Sequence, residues 1–278
     1  MLSTRDMFAR VVARDRSCDG RFVTAVLTTS VYCLPSCPAR KPKRENVRFF
    51  GSEAEARAAG FRPCLRCRPD HFYRNHDPER DRVMALVAAL RRDPGDFPDV
   101  DSLVTSSAIR PTRLNALFHR TYHVTPAEML HRIRTRAACR DLGTSTSRIL
   151  DIAHAVGYRS LSSFNGSFRR RTALAPRDYR GLGRTNEFVL SLPRDFQAGQ
   201  TATYLGRDPE SRTERAHRTQ LIRALRLDGR PALLRMDLRP GAAWCRVEMS
   251  SRPSPAALRS AHAVALRLLG LLYDPAPF

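Results

Sequence analysis

The sequence predicts a multidomain α+β fold in which a small α/β segment is followed by an all-helical segment and then by an antiparallel sheet backed by helices. Three observations support this prediction. The first segment combines a β-branched run with two closely spaced cysteine pairs, the middle segment has apolar residues at helical spacing, and the last alternates apolar and polar residues. A length of 278 residues suits two or three compact domains. We place their limits at 1–75, 76–183 and 184–278.

The charge predicts a polyanionic partner. The chain carries 48 Lys and Arg against 27 Asp and Glu, a net charge of +21 that is spread over all three segments. Nucleic acid is the first candidate, an acidic membrane surface the second, and a composition that only aids solubility is the alternative. Residues 1–5 lack an apolar signal core, and the longest apolar stretch, Ala263–Tyr273, is too short to span a bilayer. We therefore expect a cytosolic protein with no membrane partner.

In the first segment, residues 22–29 are rich in β-branched and apolar side chains and predict a strand. Residues 47–50 predict a second, short strand. Ser52 is a helix N-cap residue, and Gly60 ends the helix that it starts. A basic loop, residues 38–44, lies between the two strands.

Four of the seven cysteines lie in this segment, as a C-x3-C pair followed by a C-x2-C pair. The pairs are Cys33 with Cys37 and Cys64 with Cys67. This spacing predicts a tetrahedral site for one Zn²⁺ per chain, and such closed sites are more often structural than reactive. However, four thiolates on one dication leave a net negative charge, so the sulfur atoms are electron-rich and lie among basic residues that suit a phosphate backbone. Isolated cysteines, by contrast, are small apolar residues that we expect to be buried: Cys18, Cys139 and Cys245.

The residues around these cysteines form a longer pattern: 19–23, 28–40, 44–47 and 59–67. The pattern closely resembles the N-terminal domain of the Ada family, which repairs methylphosphotriesters in DNA. The resemblance implies that Cys33 is both a zinc ligand and the irreversible methyl acceptor, and that the other three ligands are Cys37, Cys64 and Cys67. It also implies contacts with the DNA backbone from Thr29, Arg40 and Arg62.

The middle segment predicts a helix over 81–92 and a short helix over 149–156. A turn at Gly157 then leads to a helix that begins at Ser160. This last helix has an apolar face, Leu161, Phe164 and Phe168, and a polar face opposite. An ordinary helical hairpin fits the geometry equally well. The motif from Ile152 to Arg169, followed by Pro-x-x-Tyr-Arg at 176–180, resembles the second helix-turn-helix of the AraC family.

A weaker copy of that motif covers residues 103–130, with Ala108 where the turn glycine is usual. The resemblance therefore implies an all-α domain with two helix-turn-helix motifs that binds double-stranded DNA. It also implies RNA polymerase as a partner, and we expect a monomer. The implied DNA contacts are Thr112, Arg113, Asn115, Ser160, Ser162, Ser163, Asn165 and Arg169.

The last segment predicts half-buried antiparallel strands over 188–192, 232–238 and 243–249, with a hairpin turn at Asp228-Gly229. Ser254 and Pro255 begin a helix, for which we predict a buried face: Leu258, Ala261, Ala265, Leu268 and Leu272. This pattern resembles the N-terminal domain of AlkA-type alkylbase DNA glycosylases. Their catalytic domain has no counterpart in the 278 residues, so we expect no glycosylase activity.

Together these features predict a DNA alkylation repair protein that also activates transcription in the adaptive response, in the bacterial cytosol and nucleoid. A methyl group would pass from a DNA methylphosphotriester to Cys33, and the protein would then bind promoter DNA. Two alternatives remain open. One is an AraC-like regulator with a purely structural zinc. The other is the front part of an alkylbase glycosylase fusion without its catalytic domain.

Overall fold

The computed structural model describes residues 2–74 and 77–272, so Met1, residues 75–76 and the end of the predicted third domain, 273–278, lie outside the described residues. The chain divides into two compact units, Met1–Arg82 and Val83–Phe278. The finer division at residues 75 and 183 stays a prediction. Within the described ranges, none of the helices has the length and apolar character needed to cross a membrane.

The first unit is a small mixed sheet with short helices around it. The strand order is β3-β1-β2-β4, antiparallel except for the parallel pair of β2 with β4. Its core is small: Val23, Ala25, Tyr32 and Ala56 form one buried cluster, and Val11, Cys18 and Phe22 form a second. The elements are α1 Thr4–Ala13, β1 Val23–Val26, β2 Val31–Cys33, β3 Val47–Phe50, α2 Glu53–Ala58, β4 Arg62–Pro63 and α3 Pro69–Tyr73.

Several elements of this unit differ from the sequence prediction. The predicted strand over 22–29 ends at Val26, because the chain reverses over residues 27–30. Ser30 adopts a left-handed backbone (φ 53°) and returns the chain as β2, a strand that sequence analysis missed. Sequence analysis also missed α1, although Ser3 and Asp6 form a capping box at its start. The predicted β3 and the helix capped by Ser52 are confirmed.

The second unit begins with helices that form two helix-turn-helix motifs. In the first, α5 and α6 pack with α4 and the start of α7 around a core that runs from Val83 to Ile133. In the second, α8 and α9 meet at a turn that contains Gly157. The predicted helical content is therefore confirmed. The helices are α4 Pro78–Arg92, α5 Val100–Ser107, α6 Pro111–Tyr122, α7 Pro126–Thr144, α8 Ile149–Ala155, α9 Leu161–Thr172 and α10 Pro176–Gly181.

An antiparallel sheet follows, in the order β5-β9-β8-β7-β6. Alternate residues of β8 and β9 are buried, as predicted, and β7 and β8 join at the Asp228-Gly229 turn. The predicted buried face of α12 is wrong at one position, because Leu272 lies beyond the end of the helix and is 44% exposed. The elements are β5 Glu187–Ser191, α11 Ala198–Leu205, β6 Glu214–His217, β7 Gln220–Leu227, β8 Arg230–Arg239, β9 Ala242–Met249 and α12 Pro255–Leu268.

The second helix-turn-helix and this sheet share one hydrophobic core, which extends from Ala137 to Leu269. It contains Phe164 and Phe168 of α9, Leu234 of β8 and Leu258 of α12, all at most 1% exposed. Two regions that the sequence suggests as separate modules are therefore packed together.

Candidate metal centre and nucleic-acid interface

The first cysteine pair lies at the end of β2 and in the turn that follows. Cys33 is the last residue of β2 and pairs with Thr24 of β1. The Cys37 amide donates to the Leu34 carbonyl at 3.1 Å, which closes the turn between the two sulfur ligands. Cys33 and Cys37 are 8% and 6% exposed.

The second pair follows β4, which runs parallel to β2. The Cys64 amide donates to the Tyr32 carbonyl at 2.9 Å and so extends the parallel pairing toward the first cysteine pair. The Arg68 amide donates to the Cys64 carbonyl at 2.9 Å, which closes the turn around Cys67. Leu65, in the middle of this turn, is 71% exposed. The parallel β2–β4 pair thus brings together two cysteine pairs that are distant in sequence.

The four sulfur atoms fit a zinc ion. All lie within 4.8 Å of one another, and no other group of three or more His, Cys, Asp or Glu residues in the described ranges forms such a cluster. A tetrahedral ion with Zn–S bonds of about 2.3 Å requires sulfur atoms about 3.8 Å apart. The cluster therefore needs only a small contraction to hold one Zn²⁺, and four thiols are a typical donor set for it. The predicted zinc cofactor is confirmed.

Hydrogen bonds between the four cysteine side chains favour the ionised form of one of them, Cys37. Hydrogen bonds from Cys33 and then Cys67 hold the pKa of Cys37 well below its ordinary value. The thiol of Cys33 is a donor in the same cluster, so its pKa is raised, and burial adds to that rise.

Polar contacts fix the loop between Cys33 and Cys37. The Ser36 amide and hydroxyl donate to the Asp19 carboxylate at 3.1 and 2.6 Å. Lys41 Nζ donates to the Cys37 carbonyl at 3.1 Å, and burial followed by the charge of Arg14 lowers the pKa of Lys41. The sequence pattern around the cysteines includes Asp19 but does not reveal its role in holding this loop.

The predicted DNA-backbone contacts of the first unit are all exposed. Thr29 lies in the turn between β1 and β2, Arg40 lies in the basic loop after Cys37, and Arg62 pairs with Val31 on β4. Thr29 thus precedes β2, which ends at Cys33, and Arg62 lies on β4, which Cys64 follows. Their contact with DNA stays a prediction.

The predicted contact residues of the two helix-turn-helix motifs lie at the start and on the exposed face of α6 and α9. In α6, Thr112, Arg113 and Asn115 are exposed. In α9, Ser162, Ser163, Asn165 and Arg169 are exposed, while the Ser160 hydroxyl accepts from the Ser163 amide at 3.2 Å and caps the helix. The second helix of each motif therefore has an exposed polar face.

Two arginines that sequence analysis missed hold the motifs together. Arg134 of α7 is 4% exposed, lies over the Tyr158 ring at 5.1 Å, and donates to the Phe97 carbonyl at 2.5 Å. Arg171 of α9 forms a two-pronged ion pair with Glu128 of α7, at 2.8 and 2.6 Å. Burial alone would raise the pKa of Glu128, but hydrogen bonds from Arg171 and Arg132 lower it to about 2. Neither arginine is marked by a local motif.

The fold and the site define a zinc-binding protein with two helix-turn-helix motifs. Residues 6–70 match the family model described as the metal binding domain of Ada, and residues 103–181 match a helix-turn-helix domain model. These two matches, together with the relatives below, support an Ada-family protein with an AraC-type helix-turn-helix domain.

Three relatives illustrate the similarity. The Escherichia coli bifunctional transcriptional activator/DNA repair enzyme Ada is 37% identical over 155 residues, 55% of this chain and 42% of the relative. The Bacillus subtilis bifunctional transcriptional activator/DNA repair enzyme AdaA is 27% identical over 184 residues, 66% of this chain and 86% of the relative. The probable bifunctional transcriptional activator/DNA repair enzyme AlkA of Mycobacterium tuberculosis is 35% identical over 166 residues, 58% of this chain and 33% of the relative. The match with Escherichia coli Ada thus spans about two fifths of that relative.

Proposed function

We propose that this chain removes a methyl group from DNA methylphosphotriesters and transfers it irreversibly to Cys33, and that the methylated chain then binds promoter DNA and activates transcription. The observation that carries the proposal is the four-sulfur cluster at the end of β2, with Arg40 and Arg62 exposed on the loops and strands around it. The names of the relatives, which join transcriptional activation to DNA repair, support the same proposal.

The transfer is a simple displacement. When bound, zinc keeps the four sulfur atoms deprotonated near neutral pH. The Cys33 sulfur forms a bond to the methyl carbon, and the bond between that carbon and the ester oxygen breaks with its electron pair left on oxygen. The products are an uncharged thioether on Cys33 and an ordinary anionic phosphodiester. The thioether is stable in water, so the thiolate is not regenerated and each chain reacts once.

The transfer also changes the electrostatics of the chain. The thioether carries no charge, so the cluster loses one negative charge. Repulsion between the cluster and DNA phosphates falls, and affinity for DNA rises. Arg40 and Arg62 would hold the phosphate backbone against the cluster, and α6 and α9 would read base edges in the major groove. RNA polymerase as partner, a monomeric state and a cytosolic location are parts of the same proposal.

The burial of Cys33 favours a second candidate, in which the zinc is purely structural and the chain is an AraC-like regulator. Cys64 and Cys67 are more exposed than Cys33, so exposure alone does not select Cys33 as the acceptor. Its assignment depends on the position that it occupies in the Ada pattern.

Mass spectrometry of the zinc-loaded chain, incubated with duplex DNA that carries one methylphosphotriester, separates these candidates. We expect a mass increase of one methyl group, mapped by peptide fragmentation to Cys33, and no turnover beyond one methyl per chain. A methyl group on Cys64 or Cys67 would show that the acceptor is that cysteine of the cluster and not Cys33. An unmodified chain would favour the regulator with a structural zinc.

A further inference from the structure

The end of the second recognition helix is held by a residue from the far end of the chain. Thr172 is the last residue of α9, and its carbonyl is one of the four that a helix leaves without a partner inside the helix. His262 of α12 donates from Nε2 to this carbonyl at 2.7 Å. Both residues are 3% exposed, and burial lowers the pKa of His262, so the ring is neutral. A buried carbonyl that loses such a donor is left without a hydrogen-bond partner, which is unfavourable.

An unbroken series of ring contacts connects the helix-turn-helix with the sheet through the same histidine. From the turn to the strand, neighbouring ring centroids are 5.4, 5.5, 5.5, 5.4 and 5.9 Å apart. The rings belong to the turn before α9, then α9 itself, α10, α12 and β5. In order they are Tyr158, Phe164, Phe168, Tyr179, His262 and Phe188.

Backbone contacts join the same two regions. The Ser191 amide at the end of β5 donates at 2.8 Å to the carbonyl of Ala173, the residue that follows α9. Gly183 has a positive φ of 98°, and a Cβ added there would lie 2.6–2.8 Å from Pro255, the first residue of α12. Only a glycine allows α12 to approach so closely.

The first helix-turn-helix packs against different elements from those that the second contacts. Its core is completed by α4, through Val83, Leu86, Val87 and Leu90, and by the start of α7. The second has Ala137, Ala138 and Leu142 of α7 on one side, and the other side of its core is made by α12 and the sheet.

We propose that residues 184–272 act as a scaffold that fixes α9 for reading DNA, and that His262 is the positioning residue at the centre of this contact. The inference deepens the proposed function and rests on it. The scaffold contacts the C-terminal end of α9, through His262 at Thr172 and Ser191 at Ala173, and shares one hydrophobic core with the buried side of the helix. Ser162, Asn165 and Arg169 lie on the exposed side. Loosening it would let α9 shift against the first motif, so sequence discrimination would fall while phosphate contacts remained.

The test compares three full-length, zinc-loaded variants. His262→Leu removes the donor and keeps an apolar side chain. His262→Gln restores a donor at a similar reach, and His217→Leu, on exposed β6, is the matched control. For each, the affinity is measured on a duplex selected by the wild-type chain from a randomised library and on random duplex. Hydrogen exchange of residues 161–176 is measured on the same samples.

We expect His262→Leu to lose about tenfold in the ratio of the two affinities, equivalent to one hydrogen bond to a buried group, with faster exchange at the end of α9. His262→Gln and His217→Leu should keep both properties near wild type, and zinc content should not change in any variant. If His262→Leu does not fold, Phe188→Leu takes its place. We expect it to lower the same ratio of affinities by a smaller factor.

Unchanged discrimination in His262→Leu, or in Phe188→Leu where that variant replaces it, would overturn the scaffold role while leaving DNA reading intact. Equal losses in His262→Leu and His262→Gln would also overturn it. A wild-type chain that selects no sequence at all would instead overturn the proposed DNA function, and the scaffold role with it.

Discussion

The two units of this protein are stabilised in different ways. In the first, the main sheet core is four buried residues, Val23, Ala25, Tyr32 and Ala56, beside a four-cysteine zinc site. In the second, a continuous apolar core runs from Ala137 to Leu269, next to another that surrounds the first helix-turn-helix. The difference indicates that metal stabilises the unit that carries the proposed chemistry, and hydrophobic burial stabilises the unit that carries the proposed DNA reading.

The cysteines follow the same division. In the second unit, Cys139 and Cys245 stand apart, and burial raises their pKa to about 11 and about 12, so both are neutral thiols. Cys245 is buried as predicted, as is Cys18 in the first unit, whereas Cys139 is only partly buried. The cysteines of the cluster are brought together by the parallel β2–β4 pair and become thiolates when zinc is bound. The same residue type is thus inert in one unit and a proposed nucleophile in the other.

The largest effect that would sharpen this comparison is the loss of the acceptor. Cys33→Ser should abolish methyl transfer completely, because a serine hydroxyl is a far weaker nucleophile than a thiolate at neutral pH. Cys245→Ser, in the second unit, is the control and should transfer normally. The measurement is radiolabelled methyl incorporation together with zinc content. Incorporation that persists in Cys33→Ser would refute the assignment.

Removal of zinc should loosen one unit and spare the other. Metal affinity contributes on the order of 10 kcal/mol to the folding of small zinc domains, so a chelator should release one zinc per chain and increase hydrogen exchange throughout residues 2–74. Exchange in residues 83–272 should stay unchanged, because their core needs no metal. A first unit that stays protected without zinc would remove the contrast between the two units.

A substitution that creates a cavity in the core of the second unit should destabilise that unit and leave the first unit unchanged. Phe168 of α9 is 1% exposed at the centre of the shared core, and Phe168→Ala should lower the free energy of unfolding of that unit by about 3–5 kcal/mol. Leu161→Ala, at a position 38% exposed, is the control and should have little effect. Zinc content and methyl transfer should remain normal in both variants. Loss of zinc from Phe168→Ala would show that the units are not independent.

The smallest effects concern the two turns of the helix-turn-helix motifs. Gly157 has φ 90°, and an added Cβ would lie 2.9 Å from Arg134 and 3.0 Å from the Pro94 carbonyl, so Gly157→Ala should destabilise the unit by about 1–2 kcal/mol. Ala108 occupies the corresponding turn with φ 53°, and Ala108→Gly should stabilise the unit by up to about 1 kcal/mol because the strain is removed. Denaturant unfolding measures both. Stabilisation by Gly157→Ala would contradict this account of the turns.

Much of the site could be predicted because its signals are local. The spacing of Cys33, Cys37, Cys64 and Cys67 indicates a metal site without any knowledge of the fold, and Gly157 with the polar face of α9 indicates a helix-turn-helix. The alternation in β8 and β9 likewise follows from the side-chain period of a strand.

The rest depends on contacts between residues far apart in sequence. Thr172 and His262 are 90 positions apart, and nothing near either residue predicts that they meet. Arg134 is a typical solvent-exposed residue type on a helix, yet it is buried against Tyr158. The strand β2 was missed because its three residues are too short to show a period, and the β-branched run before it continues through the turn at Ser30.

The most direct test of the account is whether chemistry in the first unit changes DNA binding by the whole chain. Methylated and unmethylated protein should be titrated against a selected duplex and a random duplex at two salt concentrations. We expect the methylated form to bind more tightly with zinc retained, and the gain to shrink at the higher salt concentration because it arises from the loss of one negative charge beside the phosphates. Equal affinities of the two forms at both salt concentrations would contradict the proposed link between repair and DNA binding.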